Sequence, residues 1–293
     1  MILVVGSTGF LGGEICRRLI ERGQSVRALV RGTSDPQRVE RLRALGAQTV
    51  VGDLKDRASL DAACAGVSAV ISTATSIASH HAENSFGDVD ERGQLHLVDA
   101  AAAAGVGQFI YLSFTRNIEV DSPLLRAKRG VESHLKQSGL RYTILRPSVF
   151  MEVWLSPRLG FDAQQGAARI FGTGEQRISY ISLGDVAEFA VTCLGNPAAV
   201  NAVLELGGPD ALSPHAVVRT FEEVTGKQFD VQHVPEAALE EQWRNASDPL
   251  QKTFAALTLG VSRGDVVDMK QTLEQFPLRL TSVREYAERV AGS

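Results

Sequence analysis

The stretch Ile2-Leu3-Val4-Val5-Gly6-Ser7-Thr8-Gly9-Phe10-Leu11-Gly12-Gly13 decides the fold. Four apolar, largely β-branched residues make a buried strand, and the glycines then break it. The chain resumes as an amphipathic helix, with Ile15, Leu19 and Ile20 on one face and Glu14, Arg17, Arg18 and Glu21 off it. Strand, glycine turn and helix together give a glycine motif its physical meaning. Gly6 lets the strand turn sharply, Gly9 lacks the side chain that would block a pyrophosphate, and Gly12 lets the helix approach the sheet. The free N–H groups of the first helical turn, with the helix dipole, make a seat for phosphate, so Thr8, Phe10 and Leu11 join the three glycines as expected nucleotide contacts. The spacing is G-x-x-G-x-x-G rather than G-x-G-x-x-G, and the flanking strand and helix carry the reading.

A chain of 293 residues buries a large core and suits one domain, or one domain with a cap. Its apolar fraction of 44% and charged fraction of 22% are those of a globular protein. A net charge of −4 leaves no basic footprint, so neither nucleic acid nor an anionic membrane is an expected partner. Cys16, Cys64 and Cys193 are odd in number and far apart, as buried free thiols of a reducing compartment would be. With no basic leader and no run of about 18 apolar residues, the expectation is a soluble cytoplasmic protein. The pair His80-His81 has no evident third ligand and reads as part of a solvated loop, so no metal site is expected.

Further along, strands are predicted at 25–30, 49–51, 69–73, 108–113 and 142–146. Helices are predicted at 36–45, 57–65, 88–104 and 123–138. This alternation reads as βαβ units, hence an α/β doubly wound parallel sheet of Rossmann type. Past Pro147 the alternation loosens. A short strand at 178–181, a helix at 185–194 and a strand at 202–206 are followed by a mainly helical remainder with one short strand at 229–234. The expected division is residues 1–150 as the dinucleotide-binding domain, with 182–208 returning to its sheet. Residues 151–181 and 209–293 would form a smaller, mainly helical substrate cap. Ligands of such sheets lie beyond the carboxyl ends of the strands, so the informative residues directly follow each strand: Gly6 to Gly12, Arg31, Asp53-Leu54, Thr73 to Thr75, Ser113 to Thr115 and Pro147 to Met151.

The order of these motifs resembles the atypical short-chain dehydrogenase/reductases, and within them the NmrA-like group. The likeness rests on the glycine turn, Val26 to Arg31, Gly52-Asp53-Leu54, and Ser138 to Pro147 followed by Phe150-Met151-Glu152. It extends more diffusely to Ile178 to Ser182 and Asp185-Val186-Ala187. The resemblance implies either an NADPH-dependent reductase acting on a small molecule such as a quinone, enone or conjugated carbonyl, or a non-catalytic protein that senses NADP(H). Both a monomer and a homodimer are compatible with the sequence.

Arg31 is the sharpest cofactor clue. A carboxylate at the end of the second strand would bond a ribose 2′-hydroxyl and repel a 2′-phosphate, whereas a guanidinium offers that phosphate paired donors. The expected cofactor is therefore NADP(H). By resemblance Asp53 and Leu54 lie beside the adenine, and Thr73, Ala74 and Thr75 along the ribose and pyrophosphate. Pro147 and Phe150 would lie along the nicotinamide. The ordinary reductases pair a Tyr with a Lys four residues on, one helical turn apart. Here Lys128 is present, but Leu124 stands in the tyrosine's place and donates no proton. Lys128 is left to bind the ribose and to serve as acid or base, with Ser113 as the hydroxyl that orients a substrate carbonyl. Thr115 is the alternative hydroxyl, and Tyr180 another. Phe150, Met151 and Trp154 read either as an apolar substrate wall or as core. Tyr111 reads as a packed strand residue, and Asp88 to Glu91 as an acidic first turn complementing a helix dipole.

Overall fold

The computed structural model describes residues 1–77 and 84–292. Two compact units divide the chain. The first comprises Met1–Ser113, Pro123–Leu145 and Val186–Leu204, and the second Phe114–Ser122, Arg146–Asp185 and Glu205–Ser293.

The first unit is built on strands β1 (Ile2–Val5), β2 (Val26–Val30), β3 (Gln48–Val51), β4 (Ala69–Ser72), β5 (Gln108–Leu112) and β6 (Tyr142–Pro147). Between them run α1 (Phe10–Glu21), α2 (Pro36–Ala44), α3 (Arg57–Cys64), a π-helical segment (Phe86–Gly93) continuous with α4 (Gln94–Ala103), and α5 (Pro123–Gln137). After α6 (Met151–Trp154), β7 (Phe161–Asp162), β8 (Ala167–Phe171) and α7 (Leu183–Thr192), β9 (Ala202–Leu206) completes a sheet of order β3-β2-β1-β4-β5-β6-β9. Every pair from β3 across to β6 is parallel. The strand order reverses between β1 and β4, which makes their carboxyl ends the topological switch point. Leu3, Val5, Val70, Phe109, Tyr111 and Ile144 share one core cluster with Val131 and Leu135 of α5.

Two helices of this unit are capped by the aspartate that precedes them. Asp35 caps α2 by accepting from the Gln37 N–H, with Pro36 at the first helical position. Asp56 caps α3 through the Ala58 N–H. The helix expected at 88–104 instead opens with the π-helical turn, whose extra residue turns Asp90 inward.

The second unit holds a small sheet of order β10-β8-β7, with β10 (Asp230–Val234) parallel to β8. Its helices include α8 (Pro214–Thr225), α9 (Glu236–Asn245), α10 (Pro249–Ser262), α11 (Lys270–Gln275) and α12 (Val283–Ala291). Phe161 and Tyr286 pack edge to face on Phe221 at its centre, with Phe229 tilted against Phe161. The strand expected at 178–181 is reduced to single bridges, Ile178 with Leu212 and Asp265, and Ile181 with Phe150. Among the described residues, no helix is long and apolar enough to cross a membrane.

Candidate functional site

Two loops meet at the switch point. Gly6 has φ +85°, and a Cβ there would lie 2.7 Å from Thr73 Oγ1 and 2.8 Å from the Ala74 nitrogen. A Cβ on Gly12 would stand 2.2 Å from the Gly6 carbonyl oxygen, so only glycine lets α1 rest on the end of β1. Gly9 donates to the Gly6 carbonyl at 2.9 Å and forms the N-cap of α1, which has neither a side-chain cap nor an acid in its first turn. The first N–H groups of this helix therefore carry their partial positive charge unanswered by protein carboxylate. Leu11 faces the core, whereas Phe10 is 78% exposed.

Arg38 lies over the Phe10 ring at 5.1 Å and donates to the Thr8 carbonyl at 3.0 Å. Sequence reasoning passed over this residue, because an arginine on a polar helix gives no signal of what it meets. Arg31 sits in a turn closed by its own N–H on Ser34 Oγ at 3.0 Å. Its guanidinium enters no ion pair among the described residues, so it remains available to an anion. Asp53 Oδ1 accepts from the Lys55 N–H at 2.9 Å, and Leu54 is buried beneath Gly93.

The loop after β4 is pinned from below. Gln94 accepts from Ser72 Oγ at 2.8 Å and donates to the Ala74 carbonyl at 3.1 Å. Asp90, fully buried, accepts from both the N–H and hydroxyl of Ser76. Thr73 Oγ1 donates to the Val5 carbonyl at 3.2 Å, and Thr75 Oγ1 accepts a long bond from the Ile77 N–H. The acidic run 88–91 thus splits. Asp88 joins Ser85 and Arg92 at the helix start, while Asp90 is a buried positioning group rather than a dipole complement. The sequence held a signal for this, since Asp90 and Gln94 are polar residues four apart on the core-facing stripe.

On α5, Leu124 and Lys128 are both buried. Lys128 Nζ donates to the Leu112 carbonyl at 2.9 Å and lies 5.0 Å from the centre of the Tyr111 ring. An ammonium has three donors, so two remain for another acceptor. Burial holds the Lys128 ammonium below its ordinary range, opposed by the negative charges of Asp90 and Glu132. Burial first, and then the same two carboxylates, push the Tyr111 phenol well up, and its hydroxyl is without a hydrogen-bond partner among the described residues. Ser113 donates to Glu132 and accepts from Arg129 at 3.3 Å. Its hydroxyl is thus tied to α5, next to the lysine it was expected to assist.

The remaining expected residues belong to the second unit. Thr115 is buried and donates to Asp265 Oδ1 at 2.9 Å, an oxygen that Asn117 also reaches at 2.8 Å. The Pro147 carbonyl accepts from the Thr115 N–H at 3.1 Å. Met151 and Tyr180 lie in the core cluster, and burial raises the Tyr180 phenol. Phe150 and Trp154 keep part of their surface, with Trp154 edge-on to Phe171 at 6.1 Å. His80 and His81 lie outside the described residues.

Sheet order, switch point and uncapped glycine turn together define an α/β protein of the Rossmann class. Within that class the chain belongs to the NmrA-like family, whose model matches residues 1–287. It is 31% identical to an isoflavone reductase homolog, IRL, of Zea mays, with 98% of this chain and 97% of that one covered. It is 30% identical to the photosystem II assembly factor Ycf39 of Synechocystis sp., covering 99% and 90%. Among solved structures, the NADPH-dependent quinone oxidoreductase QOR2 of Escherichia coli, complexed with NADPH, superposes with a TM-score of 0.80 at 24% identity over 99% of both chains.

Proposed function

We propose that this protein is an NADPH-dependent reductase that delivers hydride to a small conjugated acceptor, such as a quinone, an enone or a conjugated carbonyl. The observation that carries the reading is the uncapped start of α1 seated on Gly6 through Gly12, with the unpaired Arg31 at the end of the neighbouring strand. The donor set suits a 2′-phosphorylated dinucleotide: backbone N–H groups for the diphosphate, and a guanidinium for the additional phosphate. Bound there, a reduced nicotinamide supplies the hydride.

The chain's own residues supply the rest. Asp90 and Gln94 hold the loop after β4 in place through Ser76, Ser72 and Ala74. Lys128 offers its two remaining N–H groups to the ribose hydroxyls and gives up one proton as the acceptor takes the hydride, so a hydride and a proton, in all two electrons and two protons, reduce it. An acceptor that delocalises the incoming charge needs little proton donation at the transition state, which makes Leu124 tolerable where a tyrosine normally stands. The expected readout is loss of reduced-nicotinamide absorbance with NADPH and a panel of quinones and enones, falling about 100-fold or more in Lys128→Ala.

A second reading, a non-catalytic NADP(H)-responsive regulator, draws on Leu124 and on the likeness to an assembly factor. Tight NADPH binding with no turnover on any acceptor would select it.

A further inference from the structure

In the second unit, two histidines face each other, one of them in its small sheet. His215 lies in the first turn of α8 and His233 in β10. Their Nε2 atoms stand 3.3 Å apart, with the rings inclined at 70°. The opposite nitrogen of each ring is engaged: Nδ1 of His215 with Glu175 Oε1 at 2.7 Å, and Nδ1 of His233 with the Gly172 carbonyl at 3.0 Å. A carboxylate and a carbonyl only accept, so these partners assign a hydrogen to both Nδ1 atoms. The two Nε2 lone pairs are thereby turned toward each other, an arrangement that is repulsive unless something electron-poor lies between them.

The distance identifies what fits. Two imidazole nitrogens bound to one tetrahedral zinc at about 2.0–2.1 Å are separated by about 3.3–3.4 Å. Ligating histidines ordinarily donate their other ring N–H to a carboxylate or a backbone carbonyl, the two partners found here. Gly174 keeps the space clear, since a Cβ there would stand 2.9 Å from His215 Nε2. We propose that His215 and His233 form a two-histidine site for a divalent first-row metal ion, with zinc the best geometric match. Among the described residues no cluster of three or more His, Cys, Asp or Glu can hold a metal, so water completes the coordination. The ion ties the first turn of α8 to β10 and, through the Nδ1 partners, to the 172–175 turn. It thereby stiffens one edge of a 530 Å³ cavity that Phe171 and Val234 help to line.

The test is a titration of zinc into the full chain by calorimetry, followed by thermal melts with and without the ion. One equivalent is expected to bind, with affinity falling about tenfold or more in His215→Ala and in His233→Ala, and less steeply in Glu175→Gln. Zinc should raise the melting temperature of the wild type but of neither histidine variant. NADPH affinity should be the same in all four proteins, which separates this site from the nucleotide reading. Circular dichroism verifies that the variants are folded, and His233, an exposed strand residue, is a mild place to substitute. An absence of zinc-dependent heat overturns the proposal. So does an isotherm unchanged in both histidine variants, which would move the metal to another pair such as His80-His81.

Discussion

Two helices of this protein begin in opposite ways. α12 starts at Ser282 with a complete capping box: the Ser282 side chain accepts from the Glu285 N–H, and the Glu285 carboxylate accepts from the Ser282 N–H at 2.8 Å. α1 starts at Gly9 with no cap and no acid, although Gly9 holds the extended backbone conformation that a capping serine or aspartate adopts. The chain also caps α2, α3, α8 and α10 with an aspartate or serine. Those helices carry their own acceptor; α9 and α11 also begin without a side-chain cap, but on Pro235 and Met269 rather than on a glycine turn at the end of a sheet strand. In the proposed function the helix at the switch point keeps its donors for the cofactor's diphosphate, and the glycine turn and missing carboxylate suit that end to an anion.

The comparison breaks most sharply at Gly9. Gly9→Asp installs a capping carboxylate where the diphosphate belongs. It should lower NADPH affinity about 100-fold, since like charges brought together cost several kcal/mol. Global stability should move by no more than about 1 kcal/mol, because a gained cap offsets the tight approach to Gly6. Fluorescence titration and chemical denaturation measure the two effects separately, and undiminished NADPH binding would refute the anion seat.

Arg31→Asp tests the same anion at its other end. Exchanging charge-assisted donors for a carboxylate should invert the NADPH to NADH affinity ratio, by about 10- to 100-fold. Unchanged discrimination would mean that some other group, Arg38 foremost, reads the 2′-phosphate.

Asp90→Asn sharpens the picture at Lys128. The lysine is already held low by burial, and Asp90 is the larger of the two charges that pull it back up. Activity that needs the ammonium falls as pH rises through its titration. Removing the Asp90 charge should therefore move that limb to lower pH. A limb that stays in place in the pH profile would show that Lys128 is not the proton source.

Ser282→Ala, at the capped end, should cost about 1 kcal/mol of stability and leave NADPH affinity untouched. The Ser282 backbone N–H holds the Glu285 carboxyl below its ordinary range. The Ser282 hydroxyl holds it down as well, and that share, which the variant lacks, is present at neutral pH and lost as the solution is acidified through the carboxylate range, so a denaturation series toward low pH should narrow the gap between variant and wild type.

The opening strand, turn and helix, the helices α2 and α3 and the alternation up to Pro147 were all readable because each is set by neighbours in sequence. Pro36 follows its cap directly, and Gly6, Gly9 and Gly12 act over six residues. β8 left no such trace. Alternation over five residues is weak, and the strand exists because β10, some sixty residues on, pairs with it. The inward turn of Asp90, the Glu132 partner of Ser113 and the meeting of His215 with His233 are likewise long-range facts. Hydrophobic period, cap and glycine fix where elements begin and what class of sheet they build, because their energies are local. Which buried charge faces which depends on elements far apart in the chain being packed side by side, where the low dielectric of the interior makes each unpaired group costly. Only the folded chain decides that.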